Sequence, residues 1–409
     1  MKKHLKNILL LIFLVLSIFL LTGCHSYQGI EGLAYAVALG IDKGDSNAIK
    51  LSIQIAVLNQ PSGSSSSSQS TESTVISVDC STIDSGIALI NSYISKKVNI
   101  SHCKAIIISE ELATDGISDH IFTLANNIEV RPDCNIIISR CSASDFLENS
   151  RPVLESISAR YYELILNSSE YTAYIDNIYL SDFYSNILNT TTEATAILGG
   201  LNSNGTKKEA SSSIDLLNGN YKADEVPLEA TNKIANLGLA VFSGDRLVGE
   251  LNNMETLCHM IITNNLETAT ITIPNPVDLE NNISLNISLS KPTKNTVKLV
   301  NGFPYISSQI YISSNMYSLD STLDLSDNDT LIEIQNTFND YLEKAIAQYL
   351  YKTSKELKAD IVGFGEQLLS SYITWDDWIQ SDWLNNYSNS FFEVNVESNV
   401  KSGYLFTKI

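Results

Sequence analysis

An apolar run over residues 8–21, broken only by Ser17, ends at Leu21-Thr22-Gly23-Cys24, and this junction decides where the rest of the chain must fold. Lys2, Lys3 and Lys6 precede the run as a positive n-region. Its 14 residues make a helix of about 21 Å at about 1.5 Å per residue. A bilayer core is roughly 30 Å thick, so the run reads as a secretory h-region and not as a spanning helix. Small residues at Thr22 and Gly23 fit a peptidase with a narrow cleft beside its cut. A cysteine directly after them is what bacterial lipoprotein processing requires. Its thiol takes a diacylglycerol, and cleavage leaves Cys24 as the new N-terminus. Two acyl chains hold stably where one does not, each buried methylene contributing about 0.8 kcal/mol. No later segment reaches the roughly 18 apolar residues of a spanning helix. The expectation is an ectodomain anchored to the outer face of the cytoplasmic membrane.

Cleavage before Cys24 leaves 386 residues, enough for two or three domains with cores of their own. Losing three lysines takes the formal charge from −20 to −23. That charge argues against nucleic acid, whose phosphates it repels. It also keeps the body off anionic headgroups, so the anchor and a protein partner must hold it at the membrane. With 44% hydrophobic residues the chain is a folded one. The cysteines are Cys24, Cys80, Cys103, Cys134, Cys141 and Cys258. Lipidation consumes one, and the odd remainder without CxxC spacing is a poor disulfide framework or zinc site. Cys103 and Cys134 each open an apolar strand-like run and read as small buried residues; a Cys134–Cys141 bridge is the alternative.

The pattern predicts an α+β, multi-domain protein with mixed sheets covered by helices and a long helix in the C-terminal half. Strands are expected over residues 34–41 and 49–58, joined by a turn at Asp42-Lys43-Gly44-Asp45, and over 75–78, 103–109 and 134–140. A serine-rich loop covers 61–73. Ser81 is expected to cap a helix in which Ile83, Ile87, Ile90, Ile94 and Val98 recur at helical spacing. Further helices are expected over 117–126, 145–149, 153–166 and 179–188. Polarity changes from Thr191 onward, which places the main boundary there. The expected division is 1–23 signal peptide, 24–192 N-terminal domain and 193–409 C-terminal domain, subdividing near 280. The second half reads as two strands around Ser243-Gly244-Asp245, a helix over 253–264, a meander through 283–289, 297–300 and 305–319, and a helix over 331–358. A last strand covers 391–400.

Catalytic signatures are missing: no GxSxG elbow, Walker loop, HExxH or dinucleotide fingerprint occurs. Gly363-Phe364-Gly365 lacks a third glycine and follows a helix, so it reads as a tight turn. His102-Cys103 and Cys258-His259 would make a Cys/His metal site only if folding brought them together. The abundant carboxylates single out no catalytic pair. Trp375, Trp378 and Trp383 allow two readings: packing against the long helix, or an aromatic surface for a membrane protein. The spacing puts the first two on one face of a short helix.

Several strings in this order resemble one family, the Ger(x)C lipoproteins, the C subunits of spore germinant receptors. In the N-terminal half they are the Leu21 to Cys24 junction, Glu31-Gly32-Leu33-Ala34, Gly40-Ile41-Asp42, the stretch 102–113 ending Ser109-Glu110-Glu111-Leu112-Ala113, and Glu129-Val130-Arg131-Pro132. In the C-terminal half they are Gly238-Leu239-Ala240-Val241-Phe242, Gly244-Asp245-Arg246-Leu247-Val248-Gly249, and Asp360-Ile361-Val362-Gly363-Phe364-Gly365. The tryptophans and Phe392-Glu393-Val394-Asn395-Val396 follow. Segment 202–227 matches poorly, and the serine loop is long.

The resemblance implies a non-enzymatic subunit on the outer face of the spore inner membrane. It would hold no cofactor and no metal, and would work beside polytopic A and B type receptor subunits to trigger germination. Lipid attachment is then expected at Cys24, and Gly363, Phe364 and Gly365 are structural motif residues. The region of Trp375, Trp378 and Trp383 and the exposed side of the long helix are candidate partner contacts. The rival reading is a substrate-binding lipoprotein delivering a small solute to a transporter. A third is a tethered cell-wall hydrolase.

Overall fold

The computed structural model describes residues 2–20, 30–57, 73–150, 152, 154–155, 158–202, 217–278, 281–316 and 327–402. The junction at Cys24, the serine loop over 61–72 and the polar stretch 203–213 lie outside the described residues. The apolar N-terminal run is a helix, α1 (Lys2–Leu20). Among the described residues no helix is long and apolar enough to cross a membrane.

The first sheet has nine strands: β1 (Leu33–Lys43), β2 (Ile49–Ala56), β3 (Ser73–Cys80), β4 (Lys97–Asn99), β5 (Ala105–Ser109), β6 (Asn135–Ser139), β7 (Thr195–Leu201), β8 (Ile234–Ser243) and β9 (Arg246–Leu251). Their order is β3-β2-β1-β5-β6-β7-β8-β9, with β4 paired to the start of β1. The central strands β1, β5, β6 and β7 run parallel, and antiparallel pairs flank them on both sides. The Ile-rich strands β5 and β6 are buried at every position, as parallel strands covered on both faces must be.

Helices α2 (Ile83–Tyr93), α3 (Glu110–Asp115), α4 (Ser118–Asn126), α5 (Ala143–Asn149), α6 (Ser158–Leu166), α7 (Ser169–Thr172) and α8 (Leu180–Ile187) connect these strands. Ile106, Ile108, Ile136 and Ile138 face a core with α2, α4 and α8. Ile107 and Ile137 point the other way, onto Phe146 and Leu147 of α5 and Tyr162 and Leu166 of α6. Alternation along each strand thus feeds two separate cores.

The second sheet is β10 (Ala269–Pro274), β11 (Asn282–Val300), β12 (Phe303–Met316) and β13 (Phe391–Ser402), in that order. β12 and β13 run parallel, so this sheet is mixed as well. α9 (Asn253–Ile262) and the long α10 (Asn328–Tyr351) cover its inner face, and Lys352–Leu357 continues α10 as a π-helical turn. α11 (Gly365–Leu369), α12 (Trp375–Ser381) and α13 (Trp383–Asn386) close the chain before β13.

Helix α9 is what makes one body of the two sheets. Every residue of it except Glu255 is buried, the burial of a core helix and not of a surface one. It packs in one core with Leu239, Val241 and Leu251 of the first sheet and Ile271, Ile283, Leu285, Ile287 and Ile310 of the second. Asn252 and Glu255 start it with a reciprocal capping box. Glu255 then turns out to Lys352 at 2.7 Å.

Several local expectations need correcting. Thr82, not Ser81, caps α2, through a reciprocal pair with Ser85. Val98 continues the helical spacing but belongs to β4, because α2 stops at Tyr93. β10 has no counterpart in the sequence reading. The separate strands expected at 283–289 and 297–300 are one strand, β11, whose register slips between Leu289 and Lys294, around Pro292. Helix α6 starts only at Ser158.

Candidate functional site

The turn after α10 gathers the residues that lock the two sheets together. Lys358 ends the π-helical turn in a left-handed conformation, and the chain then drives Asp360 fully inside. Asp360 Oδ1 accepts from the Gly363 N–H at 2.9 Å and the Val362 N–H at 3.3 Å. Its Oδ2 accepts from the Gly365 N–H at 3.0 Å and the Trp383 indole Nε1–H at 2.9 Å. Its backbone carbonyl accepts from the Glu193 N–H at 2.8 Å and the Thr192 hydroxyl at 3.1 Å. The Glu193 carboxylate in turn accepts from the Gly244 N–H at 2.8 Å, in the β8–β9 turn. One chain of hydrogen bonds therefore runs from Trp383 through Asp360 and Glu193 to the first sheet.

Burial pushes the Asp360 carboxyl up to about 6, against the donors that favour its charged form. Burial likewise raises Glu193. These are buried acids held by dipoles, with no cation among their hydrogen-bond partners in the described residues.

The three motif residues have distinct duties. Gly363 has φ +80, which a side chain disfavours, while a Cβ there would make only ordinary contact with Thr192 at 3.6 Å. Gly365 is constrained by contact instead: a Cβ there would run into the Trp383 indole and meet the Thr191 carbonyl at 2.6 Å. Phe364 is buried and stacks on Tyr387 with ring centroids 6.2 Å apart. Together they shape the turn that wraps the Asp360 carboxylate.

The tryptophans separate. Trp378 is 1% exposed and donates from its indole N–H to the Thr190 hydroxyl at 2.9 Å; Trp383 is 4% exposed. Trp375 is 59% exposed, and Ile373 and Ile379, two residues before it and four after it in the chain, are exposed too. Residues three apart on a helix differ by about 60° in direction. On α12 the boundary between core and solvent falls inside that angle, so Trp375 and Trp378 do not share a face. The long helix α10 buries Ile334, Phe338, Leu342, Ile346 and Tyr349 and leaves its other side to solvent.

A second polar region lies at the carboxyl ends of β1, β5 and β6. Asp42, at the end of β1, accepts from the Ala143 and Ser144 N–H groups at 2.6 and 3.0 Å and so caps α5. Arg140 follows β6 and pairs with Asp224, with Glu225 at 3.7 Å and with Glu250 at 3.2 Å. Lys222 also reaches Glu250, at 2.6 Å. Asp42 and Arg140, with Lys43, Lys50 and Glu110, line an open cleft of about 840 Å³. Another cavity, of about 550 Å³, lies between α9 and α10, lined by Asn252, Glu255, Tyr341 and Lys344 among others.

The two Cys/His pairs do not meet. Cys103 lies in the core of the first sheet, with His102 edge-on to Tyr35, whereas Cys258 lies in the core of the second and His259 shares a 2.7 Å hydrogen bond with the Tyr349 hydroxyl. Among the described residues no group of three or more His, Cys, Asp or Glu is arranged to hold a metal ion. Sequence reasoning quoted Asp360 inside a motif but missed its role, and it missed Glu193 and Arg140 altogether. A lone acid before a Gly-x-Gly turn was the available signal.

Two mixed sheets joined through a buried helix and an acid-centred turn define an α+β scaffold. Residues 26–200 match the family described as "Spore germination protein N-terminal domain", and residues 237–403 match "Spore germination B3/ GerAC like, C-terminal". The putative spore germination protein YfkR of Bacillus subtilis (strain 168) is 24% identical over 386 residues, covering 92% of this chain and 91% of that protein. Spore germination protein KC of the same organism is 22% identical over 397 residues, covering 93% and 92%. The crystal structure of the GerBC protein superposes with a TM-score of 0.52 at 15% identity, over 88% of this chain and 96% of that one, a likeness of fold. The chain belongs to the Ger(x)C family of spore germination receptor subunits. Its members are non-catalytic germination proteins.

Proposed function

We propose that this chain is the lipid-anchored, non-catalytic subunit of a spore nutrient germinant receptor, held at the outer face of the inner membrane beside polytopic subunits. The observation that carries the reading is Cys24, placed after Thr22-Gly23 at the end of a run too short to span a bilayer, in a chain whose two halves both match germination domains. The diacylglycerol at Cys24 raises the effective concentration of the body at its partners without adding a contact. The locked joint at Asp360 supports a body that acts as a rigid unit. We place the partner contact at Trp375 with Ile373 and Ile379, a small exposed apolar group on an otherwise acidic protein.

Mass spectrometry of the mature N-terminus tests the anchor. A diacylglyceryl-modified Cys24 in the wild type, and unprocessed chain in Cys24→Ala, supports it. An unmodified N-terminus elsewhere in the chain would count against it.

A further inference from the structure

Two thiols meet where the central parallel strands begin. Cys103 lies two residues before β5 and Cys134 one residue before β6, and Ala105 and Asn135 are register partners. The Asn135 N–H donates to the Lys104 carbonyl at 2.9 Å, which fixes the two backbones side by side at this point. The Sγ atoms of Cys103 and Cys134 are 3.7 Å apart, and both residues are buried. Cys141 is at the far end of β6, with its sulfur on the Ser139 hydroxyl. Six residues separate it from Cys134, and the five of them in β6 alone span about 17 Å at roughly 3.3 Å each, so the Cys134–Cys141 bridge considered from the sequence does not fit.

We infer that Cys103 and Cys134 form a disulfide in the mature protein, a cross-link between neighbouring central strands. The inference rests on the reading that the body folds outside the cytoplasm, where disulfides persist. Bonding needs the sulfurs to approach by about 1.7 Å, to about 2.05 Å. Rotation of two side chains on adjacent parallel strands supplies such a movement.

The oxidant is a thiol oxidoreductase carrying a reactive disulfide. A cysteine thiolate of the pair attacks that disulfide and forms a mixed disulfide, releasing one oxidoreductase thiol. The second cysteine thiolate then displaces the other, so the pair loses two protons and two electrons and the oxidoreductase leaves as a dithiol. Burial pushes the Cys134 thiol well up, so thiolate is scarce once the sheet is covered. The bond therefore forms while the chain is still folding, before α8 closes over the site through the Leu180 N–H to the Cys134 carbonyl at 2.8 Å. It encloses β5, α3 and α4 and restricts the unfolded chain.

The test is to block free thiols with N-ethylmaleimide in intact cells and spores and to fractionate them. The full-length protein is then digested without reductant and its peptides identified by mass spectrometry. We expect peptides linked through Cys103 and Cys134 in membrane-located protein. We also expect a Tm that falls by several degrees on reduction in the wild type and does not change on reduction in Cys103→Ala/Cys134→Ala. Membrane-located protein with both cysteines alkylated overturns the inference. If the protein is found in the cytoplasm, the anchor reading fails separately. Incubating the purified full chain with oxidised glutathione then decides the pair: a Cys103–Cys134 link upholds the juxtaposition, and no link overturns it.

Discussion

The indole N–H of Trp383 reaches 23 residues back to the carboxylate of Asp360 at 2.9 Å, and the same oxygen receives the Gly365 N–H at 3.0 Å. This single acid organises the turn, seats α13 and, through its carbonyl, holds the Thr192-Glu193 segment that leads into β7. Removing it strands several buried donors at once.

Asp360→Ala is accordingly expected to destabilise the protein by about 3 kcal/mol or more, since each stranded buried donor costs about 1–3 kcal/mol. Trp383→Phe, which keeps most of the ring and loses one hydrogen bond, is expected to cost about 1–2 kcal/mol. Urea unfolding of both variants checks the order.

Stability should also depend on pH through Asp360. Its folded pKa of about 6 lies above the ordinary 3.8, so the native state keeps a proton that the unfolded chain has released. The resulting contribution is complete below about pH 4 and is lost as pH rises to about 6, on the order of 3 kcal/mol in all. His259 acts oppositely: burial lowers its pKa, so stability falls as pH drops below 6.5 and the unfolded chain takes up the proton. The readout is therefore the difference between wild type and Asp360→Asn. It should decline from pH 4 to 6 and stay level above; a level difference throughout contradicts the assignment.

Gly365→Ala is expected to cost about 2 kcal/mol, because its methyl would be driven into the Trp383 indole and the Thr191 carbonyl. Gly363→Ala has room and meets only the strain of φ +80, about 1 kcal/mol. Thermal unfolding of the two variants should rank them in that order.

Trp375 and Trp378 should part company in function. Trp378→Ala is expected to lose about 3–5 kcal/mol of stability, as a buried aromatic does. Trp375→Ala should leave stability within about 0.5 kcal/mol and reduce recovery of the membrane partners in a detergent pull-down. Unchanged recovery with Trp375→Ala would remove this surface from the account.

Much of this architecture was legible where periodicity and burial agree. β5, β6, the β8–β9 hairpin and α10 follow directly from apolar runs and their spacing. Val98 misled because helical spacing continued past the point where Ile94 turns extended. β11 was divided because Pro292, Lys291 and Lys294 interrupt its apolar alternation, although the slipped register carries the strand across them. Asn301-Gly302, both at positive φ, is a hairpin signal that the sequence displayed and the meander reading did not use. The Asp360 joint was hidden for a different reason. Its partners Thr192, Glu193 and Trp383 are brought to it by folding over 168, 167 and 23 residues, a relation that local pattern does not carry.

The most direct test is fractionation of spores carrying wild type or Cys24→Ala, with a detergent pull-down of the wild type and a germination assay. The account predicts wild type in the inner membrane together with two polytopic proteins, and loss of both that location and the nutrient response in Cys24→Ala. Wild type recovered alone from vegetative-cell membranes, with normal germination of spores that lack it, would contradict the account and favour the solute-binding lipoprotein.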